Sequence, residues 1–253
     1  MSNASNCILS RVCKLADTEQ CTRLCGSFIA MHGYSGDGGR VGAANIPSEY
    51  RSITLATSPA REEQAGAYRL LEDTYVSTFS RQFDPKAERI KSMYLYSLSP
   101  GTGKTATAIA LLHEWIIVHY VGSVQRGQRP LERPGYFFDV NEWQELYNEF
   151  NRPKIPDDVA EPASREYYRR MKLAKTTPFV VMDDIGVRDC KDGFRGDLHS
   201  IINYRDANGL LSIYTSNVTI EELRTTYDSR LMDRVRNKTM TIPFGGESKR
   251  GLG

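Results

Sequence analysis

Apolar residues follow three different patterns along this chain. From about residue 90 onward, short apolar runs alternate with longer stretches at helical spacing, which is the signature of an α/β protein built on a parallel sheet. The short runs predict strands at Met93–Ser97, Gly135–Asp139, Phe179–Asp183, Leu211–Thr215 and Thr239–Pro243. Helices are predicted at roughly 104–120, 141–150, 163–175, 191–208, 219–226 and 229–236. Between them, Asn151–Pro162 reads as a loop, because Pro153, Pro156 and Pro162 each remove a backbone donor. Upstream, residues 58 to 82 place Ala67, Leu70, Leu71, Tyr75 and Phe79 at helical spacing, and a helix is expected there. Residues 1 to about 55 show little periodicity and include Gly36-Asp37-Gly38-Gly39, as expected of a small loop-rich module in need of a staple. The expected organisation is therefore a Cys-rich module at 1–55, a helical linker at 56–89 and an α/β domain at 90–253.

Composition narrows the class without changing this picture. The 253 residues leave room for one large domain or an ordinary domain with an appendage. With 40% hydrophobic and 25% charged residues the chain can bury a core. The most apolar stretch, Ile109–Tyr120, is interrupted by His113, Glu114 and His119, so it is expected to be a core helix rather than a membrane span. The N-terminus lacks the basic-then-apolar pattern of a secretory signal, and a cytosolic chain is expected. A net charge of +2 does not by itself announce a nucleic-acid binder, although a local patch stays open.

The first candidate chemistry follows the first strand. Met93-Tyr94-Leu95-Tyr96 runs into Ser99-Pro100-Gly101-Thr102-Gly103-Lys104-Thr105-Ala106 and then an alanine-rich helix. Gly101 and Gly103 can take positive φ, so that the N–H groups of Pro100–Ala106 that remain close around phosphate oxygens. The start of the helix adds free donors and a positive dipole end. Lys104 can reach the β- and γ-phosphates, and the Thr105 hydroxyl can ligate Mg²⁺. A chance Gly-Lys-Thr turn is the bland alternative, but strand, loop and helix occur in the order the chemistry requires. The pattern departs from G-x-x-x-x-G-K-S/T at one place, where Leu98 replaces the first glycine.

The second candidate is Phe179-Val180-Val181-Met182-Asp183-Asp184, an apolar strand that ends in two carboxylates. Such a strand belongs in the middle of a parallel sheet, and its C-terminal end is where α/β ligands bind. Asp183 is expected to hold Mg²⁺ and Asp184 to orient or deprotonate the attacking water. Two solvated aspartates at a turn are the alternative. The run Leu211–Thr215 ends in Ser216-Asn217, so Asn217 can sense a γ-phosphate or position water; alone, it would read as a turn or helix cap.

Taken in order, SPGTGKT, FVVMDDIG, IYTSN and SRLMDRVR resemble the AAA+ helicase loaders of the DnaC/DnaI type, phage-encoded loaders among them, with the IstB-type transposon helpers as close cousins. The resemblance covers roughly residues 90 to 250. It implies a P-loop NTPase sheet flanked by helices, ATP and Mg²⁺ as ligands, and ATP hydrolysis. It makes Asn217 the sensor residue and Arg230 or Arg234 the finger that reaches the ATP of a neighbouring subunit, a task suited to an always-charged, forked guanidinium. Asp184 stands where most AAA+ proteins carry glutamate.

Cys7, Cys13, Cys21 and Cys25 lie within the first twenty-five residues. In a reducing cytosol such a cluster suits a metal better than disulfides. Loaders of the DnaI type carry an N-terminal zinc module that contacts the helicase. By that resemblance Cys13, Cys21, Cys25 and His32 are the expected zinc ligands, with Cys7 competing for one place; free cysteines on short helices are the alternative. The resemblance thus implies a bacterial, cytoplasmic loader of a DnaB-type replicative helicase onto single-stranded DNA, acting as a homo-oligomer or a helicase-bound ring. The rival readings are an IstB-like transposition helper on duplex DNA, a P-loop small-molecule kinase, and a binding module in which the N-terminal metal site matters and the ATPase core is a scaffold.

Overall fold

The computed structural model describes residues 2–186, 191–223, 235–236 and 238–246. Arg230, Arg234 and most of the helix expected at 229–236 lie outside the described residues, as does the end of the helix expected at 219–226. The chain forms two compact units, one of residues 91–108 and 138–253, the other of residues 1–90 and 109–137.

All five strands form where the apolar runs place them: β1 at Ser92–Tyr96, β2 at Gly135–Asp139, β3 at Phe179–Asp183, β4 at Leu211–Ser216 and β5 at Thr239–Pro243. They make one sheet in the order β2-β3-β4-β1-β5. The pairs β3–β4, β4–β1 and β1–β5 are parallel. Every residue of β3 and β4 is buried, as expected of strands inside a parallel sheet. Register sets Met182 against Tyr214 and Tyr96 against Ser216, so the carboxyl ends of β3, β4 and β1 finish level with one another.

Between the strands lie α4 at Lys104–Gln125, α5 at Val140–Phe150, α6 at Asp157–Thr176 and α7 at Asp192–Ala207; they are preceded in the chain by α1 at Gly26–His32, α2 at Gly39–Ala43 and α3 at Ala65–Leu70. Among the described residues, α4 alone is long and apolar enough by composition to cross a bilayer. Some 72% of its apolar window is buried inside the protein, which marks it as a core helix.

Two expectations need correction. Residues 157–162 are helical rather than loop, and Pro162 sits inside α6. Only one bond of the helical ladder is lost there, and Asp157 and Asp158 complement the positive end of the helix. Packing of the downstream face outweighs that loss. Tyr167 is fully buried and stacks on Trp143 of α5, ring centroids 4.5 Å apart and planes at 4°. Secondly, residues 58–82 are not one helix. Residues 58–64 run in turns, α3 is short, and it continues as a π turn at Leu71–Tyr75 and a 3₁₀ stretch at Val76–Phe83. The changed winding still buries Tyr68, Leu71, Tyr75 and Phe79, and Phe79 meets Trp115 edge-on at 5.4 Å.

The unit that contains the N-terminus is built from short elements held by polar anchors. Buried Arg40 donates to the carbonyls of Ala30 and Pro130 at 2.8 and 3.1 Å and to that of Leu131 at 2.9 Å. Arg11 bonds to the buried Glu114 at 2.6 Å. His113 is wholly buried with Nδ1 at 2.6 Å from the Ile53 carbonyl.

Candidate nucleotide-binding site

The loop from Leu98 to Lys104 joins β1 to α4. Gly101 and Gly103 have φ of 73° and 91°, a region in which a Cβ would be strained, and this lets the loop curl. Leu98, standing in for the first glycine of the pattern, is 70% exposed, so its side chain points out of the loop. Thr102 and Ala106 are buried, and Pro100 lies at the surface. Lys104 is buried too, with Nζ 3.3 Å from the Ser99 carbonyl and 3.5 Å from Thr102 Oγ1. An ammonium folded back onto its own loop is placed to transfer to phosphate oxygens, which offer stronger acceptors.

Thr105, on the first turn of α4, donates to Asp183 at the end of β3, 2.9 Å to Oδ1 and 3.2 Å to Oδ2. From the other side Thr215 of β4 donates to Asp183 Oδ1 at 2.6 Å. Burial pushes the Asp183 carboxyl up to about 6, against the two hydroxyl bonds, and the Asp184 and Asp139 carboxylates add to the rise. A buried carboxylate among like charges, bonded to the Thr105 hydroxyl, has the chemistry to take a divalent cation.

After Asp183 the chain turns sharply. Asp184 takes φ of 61°, and its N–H donates to Thr215 Oγ1 at 2.9 Å. Its two carboxylate oxygens are held by two amides. Asn217 donates to Oδ1 at 3.1 Å, and Asn141 donates to Oδ2 at 3.0 Å. The other end of the Asn217 amide, Oδ1, is buried with no partner among the described residues. The structure thus brings together Lys104, Thr105, Asp183, Asp184 and Asn217, which lie in three separate stretches of sequence. Arg230 and Arg234 are outside the described residues.

Three contributors went unrecognised in the sequence. Thr215 was legible as a polar residue within an apolar strand. Asp139 accepts from the N–H groups of Asn141 and Glu142 at 2.8 and 3.0 Å, and so caps α5. Asn141 follows that cap, and in the sequence nothing separates it from ordinary first-turn polarity.

The four N-terminal cysteines line a single cavity, together with Leu9 and Phe28. Burial raises the Cys7 thiol above its ordinary value, and the other three cysteines add to that rise. Among the described residues, however, no three His, Cys, Asp or Glu side chains are gathered closely enough to hold a metal. His32 is not part of that cavity lining. It is buried, stacks on Phe28 at 4.9 Å, and its Nε2 accepts the Ile8 N–H at 3.2 Å.

No protein-family model matches the chain, and no curated protein does. Solved structures share its architecture. A protein from Streptococcus pyogenes serotype M3, assigned as a primosome component, aligns with a TM-score of 0.50 at 25% identity over 82% of this chain and 93% of its own. A DnaC helicase loader aligns at 0.54 and 21% identity, covering 79% of this chain and 100% of its own. DnaI aligns at 0.51 and 19%, covering 79% and 95%. With its sheet order, and the loop before α4 level with Asp183, the chain shares the fold of the DnaC helicase loader and of DnaI.

Proposed function

We propose that this chain is an AAA+ ATPase that loads a DnaB-type replicative helicase onto single-stranded DNA. The observation that carries the reading is the bridge from Thr105 to Asp183 beside Lys104. It supplies, in one place, a cation for phosphate, a hydroxyl and carboxylate for Mg²⁺, and Asp184 for the water. In this reading the backbone of Pro100–Ala106 and Lys104 hold the ATP phosphates, and Thr105 and Asp183 hold Mg²⁺. The bound metal would neutralise phosphate charge. Asp184 accepts a hydrogen bond from the attacking water and aligns it with the γ-phosphorus, and Asn217 steadies that arrangement. Arg230 or Arg234 completes the site of a neighbouring subunit, so that hydrolysis depends on assembly. Within this class the likeness to a DnaC loader favours helicase loading over transposition.

The test is co-purification with a DnaB-type helicase, with and without ATP, followed by mass measurement and an ATPase assay. A complex of defined mass that forms with ATP supports the reading. Filaments on duplex DNA without helicase binding would favour the transposition helper, and phosphoryl transfer to a small molecule would favour the kinase.

A second reading concerns the N-terminal cysteines. Cys7, Cys13, Cys21 and Cys25 share one cavity, and four thiols are the donor set that structural zinc takes. With its Nε2 engaged by Ile8, His32 is better suited to the core than to the metal. The reading is therefore zinc held by Cys7, Cys13, Cys21 and Cys25, with His32 left in the core. Metal analysis after chelator-free purification should give about one zinc per chain, lost in Cys7→Ser and kept in His32→Gln. No zinc, with all four thiols freely reactive, would sink it.

A further inference from the structure

Residues 2 to 4 wrap around one cysteine. The Ser2 hydroxyl and the N–H groups of Asn3 and Asp17 donate to the Cys21 sulfur, and the Asn3 N–H also reaches the Cys21 carbonyl at 2.9 Å. The Ala4 N–H donates to Ser2 Oγ at 3.1 Å and so orients the hydroxyl that serves the sulfur. Cys7 is treated similarly, its sulfur taking the N–H of Leu9 two residues on. A neutral thiol is a weak acceptor, whereas a thiolate carries a full charge and bonds strongly to donors gathered in this way.

Asn3 offers one donor more than these bonds use. It is 7% exposed and lines the cavity that holds Cys7, Cys13, Cys21 and Cys25. Its Oδ1 accepts from Asn6 Nδ2 at 3.3 Å. Its Nδ2 is buried with no hydrogen-bond partner among the described residues. A buried amide donor without an acceptor is costly, and its presence calls for a reason. Zinc held by four thiolates supplies one. The metal cancels only part of the thiolate charge, and the excess stays in a cavity that Leu9 and Phe28 also line, where a donor is worth most.

We propose that Asn3 is a positioning residue for the cysteine metal site: its Nδ2 donates to one of the four thiolates when zinc is bound, drawing off charge and holding that sulfur toward the metal. The inference rests on the zinc reading above. Asn3 is not a ligand in this scheme and acts only through the sulfur. Without its amide the thiolate is more basic and less well directed. Protons then compete better for the sulfur, and at neutral pH zinc is held less tightly.

The experiment uses the full chain purified without chelator, and compares wild type with Asn3→Leu, Asn3→Asp and Asn6→Ala. Zinc affinity is read by competition with a chelating dye, and the thiolate-to-metal charge-transfer band is read after Co²⁺ replaces zinc. Asn3→Leu, close in size but without a donor, should lose roughly ten- to a hundredfold in zinc affinity. Its Co²⁺ band should move to longer wavelength, because a sulfur with one hydrogen bond fewer gives up electron density more easily. Asn6→Ala removes the bond to Asn3 Oδ1 but leaves Nδ2 in place, and should keep both readouts close to wild type. Asn3→Asp retains the size and the acceptor for Asn6 yet sets a carboxylate against the thiolates. It should bind zinc more weakly still, and it covers the case in which the leucine variant folds poorly. Wild-type affinity and an unmoved band in Asn3→Leu would overturn the proposal, as would equal losses in Asn6→Ala and Asn3→Leu with no band shift in either. A wild-type chain that takes up neither zinc nor Co²⁺ fails the zinc reading itself, whereas metal held equally well by wild type and Asn3→Leu fails the role of Asn3 alone.

Discussion

Thr105 Oγ1 lies 2.9 Å from Asp183 Oδ1, a contact that joins positions 78 residues apart and ties the start of α4 to the acidic end of β3. Because β4 lies between β3 and β1, and Thr215 on it bonds to the same carboxylate, the two motifs are held in register by the sheet itself. The site's chemistry can be dissected along this line.

Lys104→Ala should weaken ATP binding on the order of 100-fold, the value of a charge-assisted contact that backbone dipoles alone do not replace. Calorimetry on the purified chain measures it directly. Equal affinity in wild type and variant would remove the phosphate-loop assignment.

The neighbouring carboxylates should separate in their effects. Asp184→Asn keeps ATP bound and slows turnover by roughly 10²- to 10⁴-fold, as expected for a group that handles the water. Asp183→Asn should instead raise the Mg²⁺ concentration needed for half-maximal binding of ATP. A wild-type rate in the Asp184 variant contradicts the division of roles.

His32 and His113 make the N-terminal unit acid-sensitive. Burial lowers both to about 4 from an ordinary 6.5, and His113 is lowered further by His32 and raised by its bond to Ile53. Both are therefore neutral when folded at pH 7, and the unfolded chain takes up their protons first as pH falls. Stability should be flat above pH 6.5 and drop between 6.5 and 4, by about 3 kcal/mol for each histidine at the lower limit. Hydrogen exchange in α1 and in Ile109–Tyr120, followed across that range, tests this. Protection that does not change down to pH 4.5 contradicts it.

Arg205 should be a stability residue with no part in nucleotide chemistry. It is 1% exposed, and it donates to Ser212 Oγ and to the carbonyls of Ala174 and Thr177, each at 2.8 Å, as well as to Pro178 and Leu211. Arg205→Ala strands several buried acceptors and should cost about 3 kcal/mol or more; Arg205→Lys should recover little, since an ammonium cannot fork to both sides. Urea denaturation gives the answer, and a loss under about 1 kcal/mol would refute it.

Arg230 and Arg234 distinguish an assembly from a monomeric enzyme. Four residues apart on the expected helix, they share one face. Substituting the finger should leave the ATP affinity of isolated subunits unchanged and reduce hydrolysis in the assembled state. A Lys104→Ala subunit still offers its arginines and should partly rescue a finger variant on mixing. No complementation, with turnover per chain independent of protein concentration, would favour the monomer.

The sequence by itself determined where the strands lie, because β1, β2 and β3 are short and mostly apolar, as buried strands must be. It also determined the residues at their ends, since Lys104, Thr105, Asp183 and Asn217 stand at fixed offsets from those runs. Helix α6 escaped, because a proline's local cost is legible while the Tyr167–Trp143 stack that outweighs it is not. The N-terminal cysteines could be counted but not assigned. Only the fold shows that Cys7 shares a cavity with the other three and that His32 turns to Ile8. That Asn141 bonds to Asp184, and Thr215 to Asp183, was decided by tertiary structure. Their roles depend on which strand ends lie level across the sheet, and strand order is set by long-range packing that no local pattern encodes.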